Sequence, residues 1–288
     1  MDARPVGGFP VPAGGFVTAS TGQRFWVHDT GAAGTSALPV VLLHGLGATA
    51  AINWFAGIAP LAKRRRVIAL DLPGHGRTPR YGRFRLARVA EQVDALLDEL
   101  GIEGCIVAGY SMGGVIAQLM ARHRPDRVRG LVLCATSRDF RGRPTDRLRF
   151  TAMSALAIGA RLVPVTPAQI VGPVARRRSG DRWRLAAELS NSSHLAVCEA
   201  ADALGRFTSR TWLDELRMPA TVVITTQDRL VPPSRQRRLA DCLPDARVIR
   251  LEADHLAAGR NPAAFSAALV RAVADVSARA TRARGAAA

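Results

Sequence analysis

Gly109-Tyr110-Ser111-Met112-Gly113, followed by Gly114, sets one serine between glycines two positions away on either side. The apolar run 105–108 before it reads as a strand, and the residues after it read as a helix. Ser111 is therefore expected on a sharp strand-to-helix turn. Such a turn strains the serine backbone and leaves no room for side chains at the flanking positions, which glycine resolves. The hydroxyl would stand at the positive end of a helix, where a developing oxyanion is stabilised. The chemistry suited to this arrangement is nucleophilic attack on a carbonyl, with an acyl-serine intermediate.

A second cluster, His44-Gly45-Leu46-Gly47, follows directly on the apolar run 39–43. A tight glycine-rich turn there can aim backbone N–H groups at the serine. The N–H groups of Leu46 and Met112 are the expected oxyanion donors. His44 is expected to shape this turn rather than to act as a base.

Positioning these loops requires a sheet. Segments 16–19 and 24–28, joined by the turn around Gly22, read as an antiparallel edge. Buried-strand patterns follow at 39–44, 67–71, 105–109, 130–134, 220–225 and 247–251, and their continuous apolar character fits strands covered on both faces. Helical patterns fall at 87–100, stopped by Gly101, at 111–122, at 234–242, and from Asn261-Pro262 onward. The fold class is α/β: a mostly parallel eight-stranded sheet with helices on both faces. Segment 137–217 breaks the alternation. Helix-like pieces at 147–163 and 183–204 flank a Pro/Gly/Arg-rich stretch, which reads as an inserted helical cap. The expected organisation is a flexible leader over 1–14, a core formed by 15–136 and 218–276, the cap over 137–217, and a flexible tail over 277–288.

Together, His44-Gly45-Leu46-Gly47, Asp71-Leu72-Pro73-Gly74-His75-Gly76-Arg77-Thr78 and Gly109-Tyr110-Ser111-Met112-Gly113-Gly114 resemble the α/β-hydrolase superfamily. Within it the chain is similar to capped esterases and to enol-lactonases of aromatic catabolism, through its DLPGHGRT loop and the strand ending at Cys134. The resemblance implies a Ser–acid–His order with Thr226-Gln227-Asp228 and Asp254-His255 at the acid and base positions. It extends to no cofactor. Among six histidines, His28 lies on an early strand, His75 in the loop after 67–71, His123 at a helix end, and His194 in the cap. Only His255 follows the last strand. Asp228 is the expected acid, on a turn after strand 220–225, and Asp139 stays open as the alternative. Asp254 would point elsewhere, and Asp71 and His75 are expected to organise their loop. A serine where related dehalogenases and epoxide hydrolases carry aspartate argues against those two activities.

Composition narrows the rest. The net charge is +17, nearly all of it arginine, with Lys63 the single lysine. From Arg138 through Glu188 eleven arginines face four acidic residues. An arginine-favouring composition accounts for this, while attraction to an anionic substrate or a membrane surface is the functional alternative. Sparse aromatics and the lack of a binding motif argue against nucleic acid as a partner. Cys105, Cys134, Cys198 and Cys242 show no metal-ligand spacing, so no metal is expected, and a reduced, cytoplasmic setting is. The expected activity is hydrolysis of a small-molecule carboxylic ester. Enol-lactone or C–C hydrolysis, acyl transfer, and non-catalytic ligand binding on the same fold are the alternatives. Trp54, Tyr110 and Met153 are candidates for substrate contact. Oligomeric state is left open.

Overall fold

The computed structural model describes residues 10–32, 36–140 and 191–285 of the chain. Its strands are β1 (Gly14–Thr18), β2 (Arg24–Asp29), β3 (Val40–Leu43), β4 (Val67–Leu70), β5 (Cys105–Tyr110), β6 (Val128–Cys134), β7 (Ala220–Thr225) and β8 (Ala246–Leu251). They form one sheet in the order β1-β2-β4-β3-β5-β6-β7-β8. The β1–β2 hairpin is antiparallel and joins antiparallel to β4, and every later pairing is parallel. The hairpin turn uses Gly22 at φ +80°, as expected from its position.

The helices are α1 (Ala50–Ala62), α2 (Leu86–Glu99), α3 (Met112–His123), α4 (His194–Arg206), α5 (Pro233–Cys242), α6 (Ala257–Arg260) and α7 (Pro262–Gly285). Period-two alternation along the strands sorts the core into two layers. Val41, Leu43, Ile68, Leu70 and Val107 face α2, α3 and α5, whereas Val40, Leu42, Ala69, Ile106 and Ala108 face α1, α6 and α7. β3, β4, β5 and β7 are buried along their whole length, which is why their sequences run apolar without alternation. The thiols of Cys105 and Cys134 are buried and pushed up to about 12 by desolvation. They behave as small hydrophobes.

Three boundaries differ from the sequence expectation. Helix α1 was not anticipated. Thr49 caps it through a side-chain bond from the Ile52 N–H, and Pro60 sits inside it near its end. The leader is anchored earlier than expected: Val11 is fully buried, and the Pro12 carbonyl bonds His28 Nδ1 at 2.8 Å. The C-terminal helix continues to Gly285 through much of the expected tail. Arg279 explains this, because its guanidinium reaches the carbonyls of Ala220 and Asp245 and the Asp275 carboxylate, all at 2.7 Å.

Between β6 and β7 the described chain re-enters at Asn191, and α4 is the C-terminal part of the helix expected over 183–204. The Glu199 carboxylate on α4 takes Arg80 through both guanidinium arms and also the Phe84 N–H. The helix expected over 147–163, with Met153, lies outside the described residues. No helix among the described residues is long and apolar enough to cross a membrane.

Candidate active site

The parallel strands deliver four loops to one end of the sheet, their C-terminal end, where ligands of open α/β sheets are bound. β3 and β5 are neighbours, so the 44–47 turn lies beside Ser111, whereas β7 and β8 bring Asp228 and His255 from further along the sheet.

Ser111 sits at φ 51°, ψ −111°, between the end of β5 and the first residue of α3. A positive φ at a residue other than glycine is strained. The glycines around it are dictated by contact. A Cβ on Gly109 would fall 2.3 Å from the Gly113 carbonyl oxygen, and one on Gly113 would fall 2.1 Å from the Leu43 carbonyl oxygen. Both neighbours are main chain, so no side chain can swing aside. Gly113→Ala is accordingly expected to cost about 3 kcal/mol of folding stability by overpacking, read as a fall in the denaturant midpoint. A midpoint unchanged from the parent would contradict this close approach.

The structure brings Ser111, His255 and Asp228 together. His255 Nε2 lies 3.1 Å from Ser111 Oγ, and His255 Nδ1 lies 2.7 Å from Asp228 Oδ2. Asp228 Oδ1 accepts the N–H groups of Leu230 and Val231 at 2.9 and 2.8 Å, and Oδ2 also accepts Thr225 Oγ1 and Gln236 Nε2 at 2.8 and 3.2 Å. An acceptor-only carboxylate at Nδ1 requires the proton there, which leaves the Nε2 lone pair facing the serine hydroxyl. Such a chain can take a proton from Ser111 and hold the resulting imidazolium. Asp139 is engaged elsewhere, with Arg210 at 2.9 Å, and its backbone bridges Thr208. Asp254 receives the Leu256 N–H and pairs with Arg260.

His44 has no exposed surface. Its Nε2 accepts the Leu72 N–H at 2.8 Å, so Nδ1 carries the proton and donates it to the Gly45 carbonyl at 2.8 Å. Burial first, and the neighbouring His75 second, push its pKa down to about 3. A neutral His44 therefore pins the Gly45–Leu46 peptide by its oxygen. In a trans peptide this leaves the Leu46 N–H on the opposite side. A Cβ on Gly45 would lie 3.5 Å from Ser111 Cβ, so this turn runs alongside the serine. Asn53, on the unanticipated α1, accepts the Gly45 N–H at 2.7 Å.

Asp71 ties its own loop to α1, with Oδ1 accepting Ala50 N–H and Oδ2 accepting Arg77 N–H. Trp54 and Tyr110 are not on an open surface. Trp54 is fully buried and Tyr110 is 2% exposed, and both pack with Phe265 in the layer beneath the site. Two features escaped sequence reading: the Thr225–Gln236 support of Asp228, and a 2.8 Å bond from the Tyr110 hydroxyl to the His255 carbonyl. Each links residues through tertiary contact, which no local pattern encodes.

Comparison with known proteins places these features in context. Residues 39–262 match the alpha/beta hydrolase fold family. A pimeloyl-[acyl-carrier protein] methyl ester esterase of Aromatoleum aromaticum is 31% identical over 227 residues, covering 74% of this chain and 88% of the relative. The dihydrolipoyllysine-residue acetyltransferase component of the acetoin cleaving system of Pseudomonas putida is 43% identical over 122 residues, 41% of this chain. That match spans only 32% of the relative's length. A solved hydrolase from Pseudomonas aeruginosa PA01 superposes with a TM-score of 0.75 at 27% identity, covering 90% of this chain and 97% of its own.

Proposed function

Because this chain belongs to the α/β-hydrolase fold family, we propose that it is a hydrolase that cleaves a carboxylic ester through an acyl-enzyme on Ser111. The observation that carries the reading is the continuous hydrogen-bonded path from Asp228 through His255 to the strained Ser111. Ser111 Oγ attacks the ester carbonyl carbon while His255 Nε2 takes its proton. The carbonyl oxygen becomes an oxyanion, received by the N–H groups of Met112 and Leu46, the second oriented by His44. Collapse expels the alcohol, which leaves with the proton held on His255. A water deprotonated by the same Nε2 then attacks the acyl carbon, and Ser111 leaves reprotonated.

Esters are favoured over other carbonyl substrates by a relative that is 31% identical and covered over 88% of its length, which is named for a methyl ester. A cap inserted between β6 and β7 is part of this reading. Its two ends support that reading, since Asp139 bridges Thr208 and Ser209 Oγ hydrogen-bonds Gln118 of α3 at 2.7 Å. These contacts tie the neck of the insertion to the helix that begins at the nucleophile.

The test is labelling with a fluorophosphonate probe beside turnover of p-nitrophenyl esters of increasing acyl length. The parent is expected to label stoichiometrically and Ser111→Ala not at all. A folded parent that neither labels nor hydrolyses any ester overturns the reading and brings non-catalytic ligand binding forward. Product analysis with an added acceptor alcohol separates hydrolysis from acyl transfer.

A further inference from the structure

We propose that Tyr110 is a positioning residue: its buried hydroxyl braces the backbone of His255 and so sets the distance between base and nucleophile. The inference rests on the Ser111–His255–Asp228 reading above. Tyr110 is the last residue of β5 and directly precedes Ser111. Its backbone is paired with Cys134 of β6, and the next N–H, that of Ser111, bonds the Cys134 carbonyl at 2.9 Å. Nucleophile and brace therefore share one rigid stretch of a central strand.

His255 lies outside the strand ladder. It sits half-buried in the loop between β8 and α6, 144 residues from the serine that it must meet. The Tyr110 hydroxyl reaches this loop from below, donating to the His255 carbonyl at 2.8 Å. Its oxygen also faces the backbone N–H of Ala257, so one phenol engages the loop at His255 and again two residues further on. The ring is fixed as well. It meets Trp54, Phe265 and the His255 imidazole edge to face, at centroid separations of 6.2, 5.4 and 5.8 Å. Desolvation by burial holds the phenol well above its ordinary pKa, so it stays a donor at every working pH. A donor in a packed ring beneath a mobile class of element is a means of pre-organisation, and misplacing a base by an ångström costs rate without costing binding.

Tyr110→Phe keeps the ring and its packing and deletes only the hydroxyl. In the full-length folded chain, kcat for a p-nitrophenyl ester is expected to fall about 10–100-fold, with KM changed less than about twofold. The rate of fluorophosphonate labelling should fall in parallel. The low-field proton resonance of the His255–Asp228 hydrogen bond should broaden or shift. A purely structural role would lower the melting temperature yet leave kcat of the folded protein and this resonance at parental values, and that result overturns the proposal. A parent that lacks ester turnover while its low-field resonance still responds to Tyr110→Phe would sink the ester reading and leave the brace standing. Fluorotyrosine placed at position 110 gives an independent reading should the phenylalanine variant not fold. Its fluorine resonance is expected to move when Ser111 is phosphonylated, and an unmoved resonance counts against the brace.

Discussion

Asp228→Asn is expected to lower ester turnover about 10,000-fold, against about a millionfold for Ser111→Ala, with Asp139→Asn within about twofold of the parent. The asparagine effect follows from how the carboxylate is held. Two backbone N–H groups, of Leu230 and Val231, converge on Oδ1, so an asparagine must place its carbonyl oxygen there. Its NH2 group is then forced into the position of Oδ2, facing His255 Nδ1. An amide N–H there donates to Nδ1, moves the imidazole proton to Nε2, and presents an N–H to Ser111 in place of a lone pair. The base is still in place but in the wrong tautomer. Gln236 Nε2, 3.2 Å from Oδ2 in the parent, would meet a second donor and add strain to the same defect. Steady-state kinetics of the three purified variants checks this. Loss of activity in Asp139→Asn with Asp228→Asn spared would assign the acid to the other strand end.

Much of this site was legible because each of its parts is announced by a local pattern. A strand buried on both faces must be apolar throughout, so β3, β5 and β7 could be read directly, and the loops at their C-terminal ends are where chemistry collects. Gly109 and Gly113 could be read as steric necessities, and the contacts at 2.3 and 2.1 Å are those necessities. The choice of His255 needed only chain order. The choice between Asp228 and Asp139 needed more. Both follow strand ends, and only the pairing of β7 with β8 puts Asp228 within reach of the imidazole.

What stayed hidden depends on the third dimension. Trp54 on a loop-adjacent segment reads equally as pocket or packing until α1 exists to turn it inward. That helix was concealed by Gly57 and Pro60 within it, although Thr49 and the apolar spacing of Ala51, Trp54, Ile58 and Leu61 carried its signal. The packing of Tyr110 stayed hidden for a related reason. The residue before Ser111 invites a functional reading, and only the fold shows its ring packed in the core. The Arg-rich end of α7 looked like solvated tail because the charges that neutralise Arg279, on Asp245 and Asp275, are supplied partly from another element.

Acidification from pH 6.5 towards 4 is expected to remove roughly 5–6 kcal/mol of folding stability through two histidines alone. His44 is fully buried with its pKa lowered from 6.5 to about 3, and His75 likewise to about 4, chiefly by desolvation. The unfolded chain therefore binds protons that the native state refuses. Above pH 6.5 both states are neutral and the stability is fully present. Below it, stability falls by up to about 1.4 kcal/mol per pH unit for each histidine, until the native state itself takes up the proton. The two rings lie 5.2 Å apart between centroids, so in the native state one protonation opposes the other, which lowers native proton uptake further and acts in the same direction as burial. His28, also lowered by burial, adds to the slope in the same direction. The native ensemble is expected to give way at the 44–47 turn, because a protonated His44 can no longer accept the Leu72 N–H. His75→Gln offers a clean test, since among the described residues His75 Nε2 has no hydrogen-bond partner to lose. Urea melts between pH 6.2 and 5, above most carboxylate titration, should show a slope smaller by about 1.4 kcal/mol per unit than in the parent, whatever the variant's stability at pH 7.5. A parent whose stability is flat over that range would mean that these imidazoles are already charged in the fold, and the neutral His44 that orients the Leu46 N–H would have to be abandoned.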